Sequence, residues 1–153
     1  MHLTQTPSPS PRRSAVRTPV VVAAIVVAAS ACSHLRGPVP SPDVTTVKVS
    51  AHQLYRAAVR PDEVPIPVHR LQRWTLHLET VDGRPVDAAT IAVNGGMPQH
   101  GHGLPTKPLV TRALGNGDHL VEGMKFNMGG WWVVRFAVAS SAGTDTVTFN
   151  LSL

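Results

Sequence analysis

The sequence predicts an all-β protein, an immunoglobulin-like β-sandwich of six or seven short strands. Apolar and polar residues alternate with a period of two along several segments, as in strands that bury one face. Turn signals separate these segments at intervals of about 8 to 15 residues. Gly and Pro are frequent, with 12 and 14 among 153 residues, and long helical patterns are scarce.

The N-terminal 31 residues have the features of a signal peptide. Arg12, Arg13 and Arg17 form a basic region, and an unbroken apolar stretch follows at residues 20–31. This stretch of about 12 residues is too short to span a bilayer, which needs about 20. Arg12 and Arg13 also permit a twin-arginine signal, although the apolar pair that usually accompanies that motif is missing.

The apolar stretch ends at Cys32, the only cysteine in the chain. Its surroundings resemble a bacterial lipobox, with Ala29 where leucine is usual. We therefore expect a lipoprotein-type signal peptide at residues 1–31 and a lipid on Cys32. An ordinary signal peptide cut nearby and an uncut membrane anchor are the alternatives. The predicted location is extracytoplasmic and membrane-anchored, in the periplasm or at the cell surface.

Alternating prolines predict an extended tether at residues 32–43, followed by a folded domain at residues 44–153. The chain has 14 Lys and Arg side chains and nine Asp and Glu side chains. Three of the basic residues precede Cys32, which leaves 11 against nine and a formal charge of +2. So small an excess gives no reason to expect a nucleic-acid partner.

The most regular strand patterns lie at residues 73–80, 131–139 and 146–153, where alternation is strict. Residues 44–49 are a candidate edge strand, and residues 53–59 suit either a strand or one helical turn. The side chains expected to point inward from the three regular strands are Trp74, Leu76, Leu78, Trp132, Val134, Phe136, Val138, Val147, Phe149, Leu151 and Leu153.

A hairpin is predicted around the turn at residues 115–118, where glycine and asparagine tolerate positive φ. Its second strand, at residues 119–127, is less regular. The inward face expected there, which Glu122 interrupts, consists of Leu120, Met124 and Phe126.

A loop rich in sulfur and imidazole is predicted after a strand that is expected to end at residues 94–96. It contains Met97, His100 and His102 within six residues. In extended backbone, residues two apart point to one side, which places both imidazoles together. A thioether with two imidazoles suits copper, as Cu(I) or Cu(II), better than Mg²⁺ or Ca²⁺.

Two or three donors leave a metal ion under-coordinated, so further ligands or an open position are needed. The additional predicted metal ligands are Met124 and Met128, for which core packing is the alternative. His77 and His119 are weaker candidates, because both are expected to be exposed strand residues. A plain polar turn is the alternative for the loop itself.

Several short motifs resemble, in order and spacing, those of a known family. They are Met97-Pro98-Gln99-His100-Gly101-His102-Gly103, Pro105-Thr106, Gly117 and Phe126-Asn127-Met128-Gly129-Gly130-Trp131-Trp132. Over roughly residues 70–153 the chain resembles the YtkA-like/FixH-like family of small extracytoplasmic β-sandwich domains. The resemblance implies the sandwich fold, a membrane anchor and a role in copper handling. FixH-type members usually keep a membrane-spanning helix, whereas the apolar stretch here ends at Cys32.

These patterns predict a membrane-tethered copper carrier or chaperone, anchored through a lipid and passing its ion to an envelope protein. A metal-free interaction domain that uses the same loop as its contact surface is the alternative. Enzymatic activity is not expected, because the sequence has no nucleophile elbow, phosphate-binding loop, Cys/His pair or paired catalytic carboxylates.

Overall fold

The computed structural model describes residues 42–153, which form an all-β domain. The predicted signal peptide, the lipid site at Cys32 and nearly all of the tether lie outside the described residues. Within residues 42–153, no helix is long and apolar enough to cross a membrane. The strands are β1 (Val47–Val49), β2 (Tyr55–Pro61), β3 (Gln72–Thr80), β4 (Ala89–Met97), β5 (His102–Gly103), β6 (Leu109–Gly115), β7 (Asp118–Met124), β8 (Trp131–Ser140) and β9 (Gly143–Ser152).

The strands form one antiparallel sheet that nearly closes into a barrel and is compatible with a β-sandwich. Its order is β1-β2-β3-β7-β6-β4-β8-β9, and β5 pairs with β4. One ladder pair, Ala92 with Leu109, joins β4 to β6. The all-β prediction is confirmed. The strand count is nine rather than six or seven. The uncertain segments at residues 44–49 and 53–59 contain β1 and most of β2, and the two-residue β5 is too short to show a periodic pattern.

The alternation of β3, β8 and β9 gives each of these strands one buried face. The side chains predicted to point inward from them are buried or partly buried, and Trp74 and Trp132 are 0% exposed. For residues 53–59 the strand interpretation is confirmed, since Tyr55, Ala57 and Val59 of β2 are buried. These strands enclose a single core that supports the site described below.

Strand β7 begins with the opposite face inward from the one predicted. His119 and Val121 are 1% and 0% exposed, whereas Leu120 is only half-buried. The His119 imidazole has a polar partner in the core, because its Nε2 lies 2.7 Å from the Val86 carbonyl oxygen. The prediction of an inward Leu120 and an exposed His119 was therefore wrong.

A β-bulge at Gly123 explains this error. Gly123 has a φ of +83°, and the register between β3 and β7 shifts at the same place. One extra residue exchanges the two faces of a strand. Met124 and Phe126 are consequently buried, as predicted, although they follow Val121 rather than Leu120 on the inner face.

A buried carboxylate connects the turn between β1 and β2 to β9. The Asp145 side chain is 0% exposed and accepts hydrogen bonds from the backbone N–H groups of His52 (2.9 Å) and Thr146 (2.7 Å). Desolvation acts to raise the pKa of Asp145. Hydrogen bonds from Ser50, Thr146 and His52 outweigh it and hold that pKa well below its usual value. Asp145 thus fastens the side of the barrel where β1 and β2 pack against β9.

Candidate metal centre

The centre is built where β4 and β5 pair. Strand β4 was predicted to end at residues 94–96, but it continues to Met97. The ladder with β5 places Met97 directly opposite His102. Opposed residues of antiparallel strands point to the same face, with Cβ atoms roughly 4.5–5.5 Å apart. The Met97 thioether and the His102 imidazole are therefore neighbours on one face.

Two glycines let neighbouring backbones approach β4 at this point. A Cβ atom at Gly96 would lie 2.5 Å from the His102 carbonyl oxygen, and one at Gly95 would lie 2.6 Å from the Val133 carbonyl oxygen. Glycine inside a strand often marks such an approach. The residues that predicted the end of the strand are thus the ones that allow it to pair on both sides.

A tight turn joins β4 to β5 and carries His100. The N–H groups of His100 and Gly101 both donate to the Met97 carbonyl oxygen, at 3.1 and 3.0 Å, and Gly101 has a φ of +68°. The sequence suggested extended backbone between the two histidines, and this prediction was wrong. The turn nevertheless brings the His100 and His102 rings together, with centroids 6.0 Å apart and planes inclined by 27°.

The His102 imidazole is oriented for ligation. Its Nδ1 lies 3.2 Å from the Gly103 carbonyl oxygen. A carbonyl oxygen only accepts, so Nδ1 is the donor in this contact and Nε2 is the ring nitrogen left for a metal. Metal-binding histidines commonly donate their other N–H in this way.

Trp132 connects His102 to the core. Its ring contacts the His102 ring edge-on, with centroids 5.6 Å apart, and packs at 5.1 Å against Phe126. The Trp132 Nε1 donates to the Met128 carbonyl oxygen at 3.1 Å. The orientation of His102 therefore depends on buried aromatic rings as well as on the loop. The sequence predicted Trp132 only as a core residue, because no local pattern relates it to a histidine so far away in the chain.

The three donors differ in their exposure to solvent. Met97 is 1% exposed, and its methyl group lies beside Gly130, where an added Cβ atom would come within 2.8 Å of Met97 Cε. His102 is half-buried and His100 is exposed. The group therefore has a buried sulfur and an accessible rim of two imidazoles. Gly130 is a further residue that sequence analysis did not assign to the site.

The other two predicted sulfur ligands occupy different environments. Met124 is 0% exposed and belongs to the hydrophobic core, whereas Met128 is 38% exposed. The contacts that join Met97, His100 and His102 involve neither of these sulfur atoms. Metal binding by Met124 and Met128 therefore stays a prediction.

His119 lies near the start of β7, and His77 of β3 pairs with Asp118, the first residue of β7. Both histidines are therefore far from Met124, which lies at the other end of β7. The His77 Nδ1 is 2.7 Å from Asp118 Oδ1, and the strand from Asp118 to Met124 is roughly 20 Å long. Within residues 42–153 no group of three or more His, Cys, Asp or Glu side chains is placed to hold a metal ion.

An open cavity of about 270 Å³ adjoins the same loop. Met97 and His102 of the candidate centre are among its lining residues, together with Gly96, Val133 and Arg135. The cavity therefore borders two of the three candidate donors.

Replacing Gly96 with alanine is expected to move β5 away from β4 and separate Met97 from His102. The added Cβ atom meets backbone rather than a flexible side chain, so we expect the free energy of unfolding to fall by about 1–3 kcal/mol. Urea denaturation measures the change. Gly103→Ala is the control, because its Cβ atom would meet the Gly95 carbonyl oxygen at 3.4 Å, an ordinary contact. An equal loss in both variants would contradict this account of Gly96.

Comparison with known proteins identifies the family. A model described as YtkA-like matches residues 50–137, more than half of the chain, and this segment contains the loop. A solved structure titled "ZirS C-terminal Domain" aligns with a TM-score of 0.40 and 14% sequence identity, covering 89% of this chain and 97% of that chain. No curated protein matches the chain. The match over residues 50–137 confirms the resemblance, and the chain belongs to the YtkA-like family.

Proposed function

We propose that this YtkA-like domain is a membrane-tethered, extracytoplasmic copper carrier or chaperone. The observation that supports this most directly is the pairing of Met97 opposite His102, with the His100 ring beside it. A thioether and two imidazoles form a donor set that favours copper over hard cations. Three protein donors leave a coordination position open, through which a partner protein can take the ion by ligand exchange.

The membrane anchor and the location form part of this proposal and rest on the sequence. The basic region, the short apolar stretch and Cys32 support a lipidated N-terminus. A lipid on Cys32 and a Pro-rich tether at residues 32–43 would keep the domain close to the membrane. An envelope protein that accepts copper is the partner that this arrangement implies.

Replacing both His100 and His102 with alanine is expected to weaken copper binding by at least about tenfold, because two of the three donors are lost. Both histidines have exposed or half-buried side chains, so the fold should persist. Equilibrium dialysis of the full-length chain in detergent, with Cu(I) under reducing conditions and with Cu(II), measures the affinities.

The matched control is His77→Gln. His77 is a half-buried imidazole bound to Asp118, away from the loop, and its loss should leave the affinity for copper within about twofold of the original value. Unchanged binding in the double variant would reject this centre. No binding of either ion by the original chain would instead favour the metal-free interaction domain, for which the exposed tip at residues 98–100 offers the contact surface.

A further inference from the structure

The donors of the centre differ from those of most divalent metal sites in carrying no negative charge. Met97, His100 and His102 are neutral ligands when they bind a metal. Within residues 42–153 no group of three His, Cys, Asp or Glu side chains is placed to hold a metal ion, and the acidic side chains that pair with a histidine there contact His52 and His77, away from the centre. A bound ion would therefore keep its full charge.

The inner side of the centre is lined by apolar rings, which disfavour a highly charged ion. Trp132 packs against His102, and Phe126 packs behind Trp132; both of these aromatic residues are 0% exposed. The cost of removing an ion from water rises with the square of its charge, so an apolar wall disfavours a dication more than a monocation. Only the side formed by His100 is fully open to solvent.

The Met97 sulfur also favours a monovalent copper ion over a divalent one. Met97 is 1% exposed, and its side chain fits into space that exists because residue 130 is glycine. Thioether sulfur is a soft ligand that selects Cu(I), whereas Cu(II) prefers tetragonal sets of nitrogen and oxygen donors. Two imidazoles and one thioether meet the needs of the cuprous ion without a fourth protein ligand.

Resting on the copper-binding function proposed above, we propose that the centre selects Cu(I) over Cu(II) and that the Met97 sulfur is the residue that sets this preference. The two imidazoles provide the accessible rim at which either ion first binds. The buried thioether then adds affinity for the reduced ion only. The cargo of this carrier is accordingly the cuprous ion.

Replacing Met97 with leucine tests this assignment, because leucine keeps the volume of the side chain and removes the sulfur. We expect the affinity of the full-length chain for Cu(I) to fall at least tenfold, measured anaerobically against a chromophoric Cu(I) chelator. The affinity for Cu(II) should stay within twofold. A tenfold loss for Cu(I) alone lowers the Cu(II)/Cu(I) reduction potential of the bound ion by 59 mV, which voltammetry measures independently.

Leu78→Met is the matched control, since it makes the reverse exchange at a fully buried position on β3 that is no candidate ligand. Neither affinity should change by more than twofold in this variant. Equal changes for both ions in Met97→Leu, no change in that variant, or a selective change in Leu78→Met would overturn the assignment while leaving copper binding intact. If the unaltered chain binds neither ion, the proposed function itself fails, and selectivity falls with it.

Discussion

Replacing Trp132 with alanine is expected to lower the free energy of unfolding by about 3–5 kcal/mol. The Trp132 ring is 0% exposed and packs edge-on against Phe126 and His102. Its removal leaves a cavity in the core and an unpaired Met128 carbonyl oxygen, which accepts from Trp132 Nε1 in the native fold. Urea denaturation followed by far-ultraviolet circular dichroism measures the loss without depending on tryptophan emission.

Trp131 provides the control for this prediction, because it has the same side chain one residue earlier on β8. Trp131 is only half-buried, and its Nε1 donates to Asn150 Oδ1 at 3.0 Å. We expect Trp131→Ala to lower the free energy of unfolding by about 1–2 kcal/mol, because it removes less buried apolar area and one hydrogen bond. Similar losses in the two variants would contradict the larger contribution to stability that we assign to Trp132.

Replacing Asp145 with alanine is expected to reduce the free energy of unfolding by about 3 kcal/mol. The carboxylate is fully buried and accepts the N–H groups of His52 and Thr146. Alanine leaves these partly buried donors without their acceptor and releases the turn that joins β1 to β2. Chemical denaturation at neutral pH measures this change.

The pH dependence of stability gives a second measurement at the same residue. The pKa of Asp145 is lower in the folded than in the unfolded chain, where it is about 3.9. The folded state therefore gains stability from this carboxylate at pH values above about 3.9. That gain is lost progressively as the pH falls towards the folded pKa. Asp145→Asn should be less stable than the original chain at neutral pH, and the difference should shrink below about pH 4.

Asp82 offers a control with the same sign of pKa shift but an exposed carboxylate. A hydrogen bond from Thr80 is the main cause that lowers the pKa of Asp82. Solvent screens this exposed group, so Asp82→Asn should change the pH profile far less than Asp145→Asn. Identical profiles for the two variants would contradict the role assigned to the buried carboxylate.

The parts of the fold that were predictable are those with local periodicity. Trp74, Leu76 and Leu78 alternate with polar residues, and this alone fixed the inner face of β3. The inner face of β7 was not predictable from alternation, because the bulge at Gly123 reverses it. The fastening of residue 52 to Asp145 was also missed, since it joins positions 93 residues apart.

The candidate centre was predictable in its residues and not in its geometry. Sulfur and imidazole close together in the chain pointed to Met97, His100 and His102. The sequence did not show that Met97 faces His102 across a two-residue strand, because Gly95 and Gly96 suggested the end of β4. Close backbone approach is an equally good interpretation of paired glycines, and only the partner strands distinguish the two.

The weakly joined seam between β4 and β6 has a mechanical consequence for the centre. Strand β4 is held along its length by β8 but meets β6 at one pair only, Ala92 with Leu109. Compliance in this barrel is therefore concentrated beside the strand that bears Met97. Small rearrangements of the hairpin formed by β4 and β5 can be absorbed there without disturbing the ten-residue ladder between β8 and β9.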